Sequence, residues 1–261
     1  MADLEPLLRF WRALDARFER VTSVPWGAVV TDARFPAIWD VNYARVESRS
    51  ALTLAELEAE LRPAIAEAGA RHLHTVLFHP EEHTSLITEV STRGDRLSWD
   101  AVMELRSWPA SSLPPGPQVE EIRRLDQRFW QDLARSLREF DVTEPAAEDQ
   151  ILRIEREVVL PAGKRWFGVR DGAGHLAFGS LTVLEGVGSI DHVVTFPEVR
   201  RRGYATAIVG RIVNEARSAG ARRVTLLAEP GGQAQRLYER LGFATITQIA
   251  STLGSVEAPN G

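Results

Sequence analysis

The stretch Thr195-Phe-Pro-Glu-Val-Arg-Arg-Arg-Gly-Tyr-Ala-Thr206 joins an apolar run to a helical pattern and decides the fold of the chain around it. The run before it, Ile190 to Thr195, is rich in β-branched residues and predicts a strand. After it, apolar residues recur with the spacing of one helix face, and they are Ala205, Ile208, Val209, Ile212, Val213 and Ala216. The segment therefore predicts a strand that turns through Gly203 into a helix ending at Gly220.

This bend has the chemical features of a phosphate-binding site. Gly203 permits a tight turn and lets the backbone approach a ligand, since it has no Cβ. The first amides of the following helix have no partner within it, and the helix dipole and the neighbouring arginines favour an anion there. The same kind of turn also occurs in α/β proteins without a ligand, so the bend alone leaves both interpretations open.

A second stretch, Gln233-Ala-Gln-Arg-Leu-Tyr-Glu-Arg-Leu-Gly-Phe243, follows another apolar run at 224–228. Together the two stretches resemble the GNAT superfamily of acyl-CoA-dependent N-acetyltransferases. The pyrophosphate loop of that family reads Arg/Gln-x-x-Gly-x-Gly/Ala, and its later segment reads Ala-x-x-Leu-Tyr-x-x-x-Gly-Phe. The first motif is met by Arg200, Gly203 and Ala205, and the second by Ala234, Leu237, Tyr238, Gly242 and Phe243. The resemblance covers about the second half of the chain.

Composition narrows the class of protein. The chain has 261 residues, 44% of them apolar and 26% charged, which is typical of a globular protein with room for two α/β units. There is no apolar run of membrane-spanning length and no pattern of a secretory signal, so we expect a cytoplasmic protein. The absence of cysteine excludes a disulfide, a thiolate metal site and an acyl-cysteine intermediate. A net charge of −5 disfavours a nucleic-acid-binding surface.

The first half is expected to be a second, degenerate copy of the same domain. Pro109-Ala-Ser-Ser-Leu-Pro-Pro-Gly-Pro117 predicts a linker at 109–117. We predict an N-terminal domain at 1–108, a catalytic domain at 118–255 and a tail at 256–261. The expected class is α/β (α+β), with tandem GNAT-like domains that each contain a mixed, mainly antiparallel sheet flanked by helices. The first domain lacks both motifs, because Glu47-Ser-Arg-Ser-Ala51 replaces the loop and Val90 replaces the tyrosine, so we expect it to bind no CoA.

Local patterns predict the individual elements. Thr53 followed by Glu56 predicts a capped helix toward Gly69. Further helices are predicted at 4–21, 81–92, 128–140 and 146–159, and strands at 26–31, 39–46, 72–78, 97–105, 119–125, 165–169, 176–184, 190–195 and 224–228.

The resemblance implies acetyl-CoA as cosubstrate and assigns residues to it. The strand before the bend pairs with the pantetheine arm, which implies Val193, Val194 and Thr195. The bend and the start of the helix bind the pyrophosphate, which implies Arg200, Arg201, Arg202, Gly203, Tyr204, Ala205 and Thr206. Many relatives have an asparagine that contacts CoA seven residues before the tyrosine. Gly231 stands there in this chain, so that contact is either lost or supplied by backbone.

Acyl transfer to an amine also needs proton transfers. An alkyl amine has a pKa of about 10, so it needs a base near neutral pH. We expect Asp191 rather than His192 to act, through water. Strand alternation places Asp191 on the side of Val193 and Thr195, and it places His192 on the other side unless a bulge shifts the register. Tyr238 matches the family's donor to the leaving thiolate. An ordinary polar pair at a strand end and a packed tyrosine are the structural alternatives for these residues.

We therefore expect an N-acetyltransferase that transfers an acetyl group from acetyl-CoA to a primary amine by direct attack in a ternary complex. The alternative is a noncatalytic acyl-CoA-binding sensor or structural module. The expected partners are acetyl-CoA and an unidentified amine, without nucleic acid or membrane, while oligomeric state is not predicted. No metal is expected, since the four histidines between 72 and 83 lack a ligand spacing. Acidic residues at 144–155 either attract a cationic amine or form a solvated helix face.

Overall fold

The computed structural model describes residues 3–107, 116–172 and 174–256. The chain divides into two compact units. The N-terminal unit contains 11–102 and the chain from 247 onward, and the C-terminal unit contains the chain up to residue 10 together with 103–246. Most of the predicted linker at 109–117 and of the tail at 256–261 lies outside the described residues. The domain boundaries predicted from the sequence stay a prediction.

The described residues form helices and strands that share one numbering along the chain. The helices are α1 Glu5–Asp15, α2 Leu54–Glu67, α3 Thr84–Arg93, α4 Gln127–Leu137, α5 Pro145–Ile154, α6 Tyr204–Ser218 and α7 Gln233–Arg240. The strands are β1 Arg20–Val24, β2 Gly27–Thr31, β3 Tyr43–Val46, β4 His72–Leu77, β5 Arg96–Leu105, β6 Glu120–Glu121, β7 Arg165–Asp171, β8 Gly174–Leu184, β9 Val187–Thr195, β10 Arg223–Ala228 and β11 Phe243–Ser255.

The N-terminal unit is built on the strand order β1-β2-β3-β4-β11-β5. Strands β1, β2 and β3 are antiparallel, and β3 runs parallel to β4. Helix α2 connects these two parallel strands and buries one apolar face, formed by Leu57, Leu61 and Ile65. The last strand of the chain, β11, lies antiparallel to β4. This unit therefore takes a strand from the far end of the sequence.

Within the C-terminal unit the strand order is β10-β9-β8-β7-β6. Pairing is antiparallel from β6 to β9 and parallel between β9 and β10, which α6 connects. Helix α6 covers one face of this sheet with its buried residues, Ile208, Val209, Ile212, Val213 and Ala216. On the other face, Phe129 and Leu133 of α4 pack against Trp166 and Phe178.

The predicted class, a mixed and mainly antiparallel sheet flanked by helices, is confirmed, and so is the capping box of Thr53 and Glu56. Four element predictions were wrong. The strand predicted at 39–46 begins only at Tyr43, because Trp39–Val41 forms a 3₁₀ turn. The first helix ends at Asp15 and is followed by β1, an exposed edge strand whose burial shows no alternation. The strand predicted at 119–125 is reduced to Glu120–Glu121, and residues 155–159 form a π-helical turn rather than continuing α5. Strand β11 was not predicted. No helix among the described residues is long and apolar enough to cross a membrane.

Candidate functional site

The bend before α6 is open and its helix end is uncapped. Pro197–Val199 forms a 3₁₀ turn, and the chain then passes through left-handed backbone at Arg201 (φ 64°) and Gly203 (φ 81°). Residues 201–203 are exposed. Gly203 is the N-cap and has no side chain to accept a hydrogen bond, and the first helical bond joins the Ala207 amide to the Gly203 carbonyl at 3.0 Å. The amides of Tyr204, Ala205 and Thr206 therefore have no partner within the helix.

Ion pairs hold the bend from the side of α4. Arg200 donates from Nε to the Thr195 carbonyl at 3.1 Å, and its guanidinium also pairs with Glu139. Arg135 of α4 pairs with Glu198 at 2.7 Å and lies over the Phe196 ring at 4.0 Å. Arg200 is therefore committed to positioning the bend, whereas Arg201 and Arg202 are exposed beside it.

Strands β9 and β10 part just before this bend. Their parallel pairing joins Arg223 to Val187, Val224 to Gly188 and Thr225 to Ser189, and the register ends there. Strand β9 nevertheless continues to Thr195 and β10 continues to Ala228. From Ile190 onward, the edge of β9 that faces β10 thus presents backbone groups that β10 does not bond. The Thr195 hydroxyl is also buried without a hydrogen-bond partner among the described residues.

A β-bulge redirects the side chains of β9. Asp191 lies opposite Ser180 and Val194 opposite Phe178, so two residues of β9 share the position opposite Gly179. His192, one of these two, has a left-handed backbone (φ 51°), and its ring stacks on Phe178 with a centroid separation of 5.9 Å. The bulge adds one residue to the strand and so reverses the alternation beyond it.

The face predicted for Asp191 was therefore wrong. Asp191, His192 and Val194 share the face of Phe178. The other face carries Val193 and Thr195. Val193 Cγ2 would lie 3.3 Å from a Cβ placed on Gly179, next to side chains of α6, and Thr195 is opposite Ala177. The backbone does contain a bulge at this point. As a result, the two candidate bases, Asp191 and His192, lie on the same face of β9.

His192 is held as a neutral ring by Ser136 and by three aromatic neighbours. Ser136 Oγ donates to the Leu133 carbonyl at 2.7 Å, so His192 Nε2 donates to Ser136 Oγ, also at 2.7 Å, and Nδ1 is unprotonated. Ring centroids of Phe140, Trp166 and Phe178 lie 4.8, 5.3 and 5.9 Å away. Desolvation lowers the pKa of His192 to about 4, although the Asp191 charge opposes that shift. A base with this pKa binds a proton weakly.

Asp191 is paired with a residue that the sequence reasoning missed, Lys164. Lys164 Nζ lies 3.5 Å from Asp191 Oδ2 and 3.0 Å from Glu155 Oε2. The lysine and Glu155 side chains are 9% and 7% exposed, whereas that of Asp191 is 68% exposed. Desolvation acts to raise the pKa of Asp191, but attraction to Lys164 and a hydrogen bond from the His192 backbone outweigh it and lower the pKa below its ordinary value. Asp191 is therefore an accessible carboxylate that stays ionised near neutral pH.

Glu155 belongs to the interior rather than to a solvated helix face. The π turn at 155–159 carries its carboxylate to Lys164 and to Trp166, whose Nε1 donates to Glu155 Oε1 at 2.7 Å. The proposal of a solvated face is thus wrong for Glu155, while Glu144 and Asp149 are exposed. The sequence contained one signal that could have pointed to Lys164. It is the only lysine in a chain whose other basic residues with a fixed charge are arginines.

Tyr238 lies on α7 and is 7% exposed, with its ring centroid 6.0 Å from that of Phe243. Burial, and next the charge of Asp191, raise its pKa to about 12, so its hydroxyl keeps its proton at neutral pH. Gly231 precedes α7 with a left-handed backbone (φ 75°). Its amide donates to Gln235 Oε1 at 2.5 Å and its carbonyl accepts from Arg236 at 3.0 Å. In this structure the Gly231 amide is therefore engaged with its own helix.

Two histidines of the N-terminal unit bond to its own backbone. His74 Nδ1 lies 3.1 Å from the Trp39 carbonyl and His83 Nε2 lies 2.8 Å from that of Ser48. Within the described ranges, no group of three or more histidine and carboxylate side chains is placed to hold a metal ion.

Comparison with known proteins agrees with this geometry. The profile described as the acetyltransferase (GNAT) family matches residues 119–243. Among solved structures, a GCN5-related N-acetyltransferase from Kribbella flavida has a TM-score of 0.65 and 16% identity over 100% of this chain and 97% of that one. A functionally unknown conserved protein from Staphylococcus epidermidis ATCC 12228 has a TM-score of 0.69 and 12% identity over 90% and 93% of the two chains.

A third solved structure, a GCN5-related N-acetyltransferase from Sphaerobacter thermophilus, has a TM-score of 0.52 and 19% identity. The alignment covers 75% of this chain and 65% of that protein's chain. At such identities these structures show a shared fold only, which for the first two extends over nearly the whole chain. A search of curated proteins found no match.

Proposed function

Residues 119–243 belong to the GNAT acetyltransferase family, and from that premise we propose that this protein transfers an acetyl group from acetyl-CoA to a primary amine. The observation that carries the proposal is the parting of β9 and β10 after Ser189, directly before the uncapped bend at Gly203. The parted edge offers backbone groups to a pantetheine arm, and the bend offers amides to a pyrophosphate. The strand edge precedes the bend along the chain, just as the pantetheine arm precedes the pyrophosphate when CoA is followed from its sulfur.

Each part of CoA has its own set of residues. Val193, Val194 and Thr195 supply the strand edge, and the otherwise unpartnered Thr195 hydroxyl is a further polar contact. Residues 201–206 supply backbone amides, and the exposed guanidinium groups of Arg201 and Arg202 can pair with the phosphates. Arg200 holds the bend in place through its bond to the Thr195 carbonyl. Gly231 contributes no amide unless Gln235 releases it.

The reaction is direct attack of the amine on the thioester carbonyl. The C–N bond forms, the C–S bond breaks, and the amine proton passes to Asp191 through water. Asp191 is ionised and its side chain is 68% exposed, whereas the His192 ring is bonded to Ser136 and packed among aromatic rings, so access favours Asp191 as the acceptor. Tyr238, which is protonated at neutral pH, donates to the departing thiolate, whose own pKa of about 8.5 makes it a poor leaving group without a proton. Backbone N–H groups of β9 stabilise the charge on the carbonyl oxygen.

The test is titration calorimetry with acetyl-CoA, followed by a thiol-release assay with a panel of primary amines. Because the chain has no cysteine, a thiol-reactive dye reports only the CoA that is released. Binding together with amine-dependent release supports the proposal. Failure of a folded protein to bind acetyl-CoA overturns it. Tight binding without release for any amine favours a noncatalytic acyl-CoA sensor instead.

A further inference from the structure

Lys164 occupies an unusual position for a lysine. Its ammonium is enclosed by Glu155 at 3.0 Å, Asp191 at 3.5 Å and the ring of Trp166, whose centroid is 4.9 Å away. The side chain is 9% exposed, and no other lysine occurs in the chain. Burying an ion pair stabilises a fold little, because desolvation offsets most of the attraction. A single buried lysine between two carboxylates therefore invites an explanation other than stability.

The surrounding backbone is shaped to build this cluster. Glu155 reaches Lys164 from a π-helical turn, a conformation that is rare in helices and frequent at functional sites. Asp191 reaches it from the residue just before the left-handed bulge of β9. The Trp166 indole fixes the second oxygen of Glu155. Two irregular elements thus converge on one ammonium.

We propose that Lys164 is a positioning residue, which Glu155 anchors so that its ammonium holds the Asp191 carboxylate ionised and in one orientation beside the parted edge of β9. The inference rests on the proposed function, because Asp191 is the group that receives the amine proton there. Glu155 balances the lysine, so the exposed carboxylate remains the accessible charge of the cluster.

The titratable groups around this cluster are Glu155, Lys164, His192 and Tyr238. Lys164 and His192 act on Asp191, Glu155 acts on Lys164, and Asp191 in turn raises the pKa of Tyr238. His192 is neutral over the working range, and Tyr238 keeps its proton. Lys164 is thus the one cation of the cluster near neutral pH. Removing it raises the pKa of Asp191, and the carboxylate then loses its negative charge at a higher pH during acidification.

The experiment compares Lys164→Met, which keeps the aliphatic stem, with Lys164→Arg, which keeps the charge. We expect Lys164→Met to lower kcat by about 10-fold to 100-fold and to move the acidic limb of the kcat/KM profile up by about one pH unit. Lys164→Arg is expected to restore the position of that limb. Affinity for acetyl-CoA stays within about twofold in both variants. Arg20→Met, which breaks an exposed pair with Glu67 in the N-terminal unit, is the control and leaves the limb unmoved.

A measurement that needs no turnover separates this inference from the proposed function. Isotope-labelled lysine gives a single side-chain NMR signal, because the chain has one lysine. We expect this signal to shift as pH falls through the titration of Asp191, and the step to disappear in Asp191→Asn, whose side chain is exposed enough to be replaced without unfolding. A step that survives in Asp191→Asn, or an acidic limb that does not move in a folded Lys164→Met, overturns the inference. Absence of turnover with the NMR step intact rejects the amine-transfer function alone.

Discussion

The two units contain the same connection made in two ways. In the N-terminal unit an antiparallel hairpin, β2 and β3, leads through α2 to the parallel strand β4. In the C-terminal unit β8 and β9 lead through α6 to β10 in the same order. Strand β3 stays paired with β4 from Tyr43 to its last residue, Val46, whereas β9 leaves β10 six residues before its end.

The N-termini of α2 and α6 also differ, because the first is capped by side chains and the second is not. At α2, Thr53 Oγ1 accepts from the Glu56 amide at 3.2 Å, and Glu56 Oε2 accepts from the Thr53 amide at 2.9 Å. This capping box satisfies the free amides and places a carboxylate at the positive end of the helix. At α6, Gly203 leaves the amides available and arginines surround them. An identical connection thus becomes structural or ligand-binding according to whether the protein or a ligand satisfies the helix end.

The largest effect is expected from Tyr238→Phe, since the N-terminal unit already has Val90 where a tyrosine would stand. We expect kcat to fall by about 10²-fold to 10⁴-fold through loss of the proton donor. The Phe243 contact is kept, so the Kd for acetyl-CoA and the thermal midpoint should hardly change. The measurements are steady-state kinetics and calorimetry on the same preparation. An unchanged kcat would return Tyr238 to a packing role.

The next effect is expected from Gly203→Asp, which gives the C-terminal bend the anionic cap of the N-terminal one. A carboxylate at this position repels pyrophosphate, so we expect about 100-fold weaker acetyl-CoA binding, while the left-handed φ of the position makes the substitution cost about 1 kcal/mol of stability. Gly220→Asp is the matched control, because Gly220 has the same φ of 81° and the same open space at the other end of α6. If both variants bind acetyl-CoA like the parent, the bend is not the phosphate site.

The third prediction concerns how the free energy of unfolding of the two units depends on pH in acid. The folded pKa of His192, about 4, lies below the unfolded value near 6.5, so the unfolded chain binds more protons between these values. The free energy of unfolding should therefore fall as pH drops from about 6.5 to 4, with about 3 kcal/mol of that loss due to this ring. His192→Gln is expected to flatten the curve in urea titrations across this range. His72 in the N-terminal unit also has a pKa of about 4, so His72→Gln shows whether the two units lose stability together.

The smallest effect is expected from Thr53→Gly combined with Glu56→Ala, which strips the capping box from α2. The free energy of unfolding should fall by about 1 kcal/mol. Acetyl-CoA binding at the N-terminal unit should still be absent, because β3 and β4 remain paired to their ends. Calorimetry on the variant that also carries Gly203→Asp isolates that unit. Binding of acetyl-CoA to the N-terminal unit of that variant would mean that the capping box alone prevents this unit from binding the ligand.

Local chemistry in the sequence predicted much of the site. The left-handed position at Gly203, the apolar face of α6, and the box of Thr53 and Glu56 each depend on residues within one or two turns of chain, so their spacing is sufficient evidence. The candidate residues of the bend and strand were named from the family resemblance, and the structure brings the strand, the bend and Tyr238 into one unit.

The sequence by itself determined the class of fold, most of the helices and strands and the two motifs, because short-range periodicity and turn chemistry encode them. Tertiary structure alone decided the bulge at His192, the parting of β9 from β10 and the pairing of Lys164 with Asp191. It also decided that β11 lies beside β4. These features join residues that are far apart in the chain or depend on a register shift of one residue, and no local pattern carries that information.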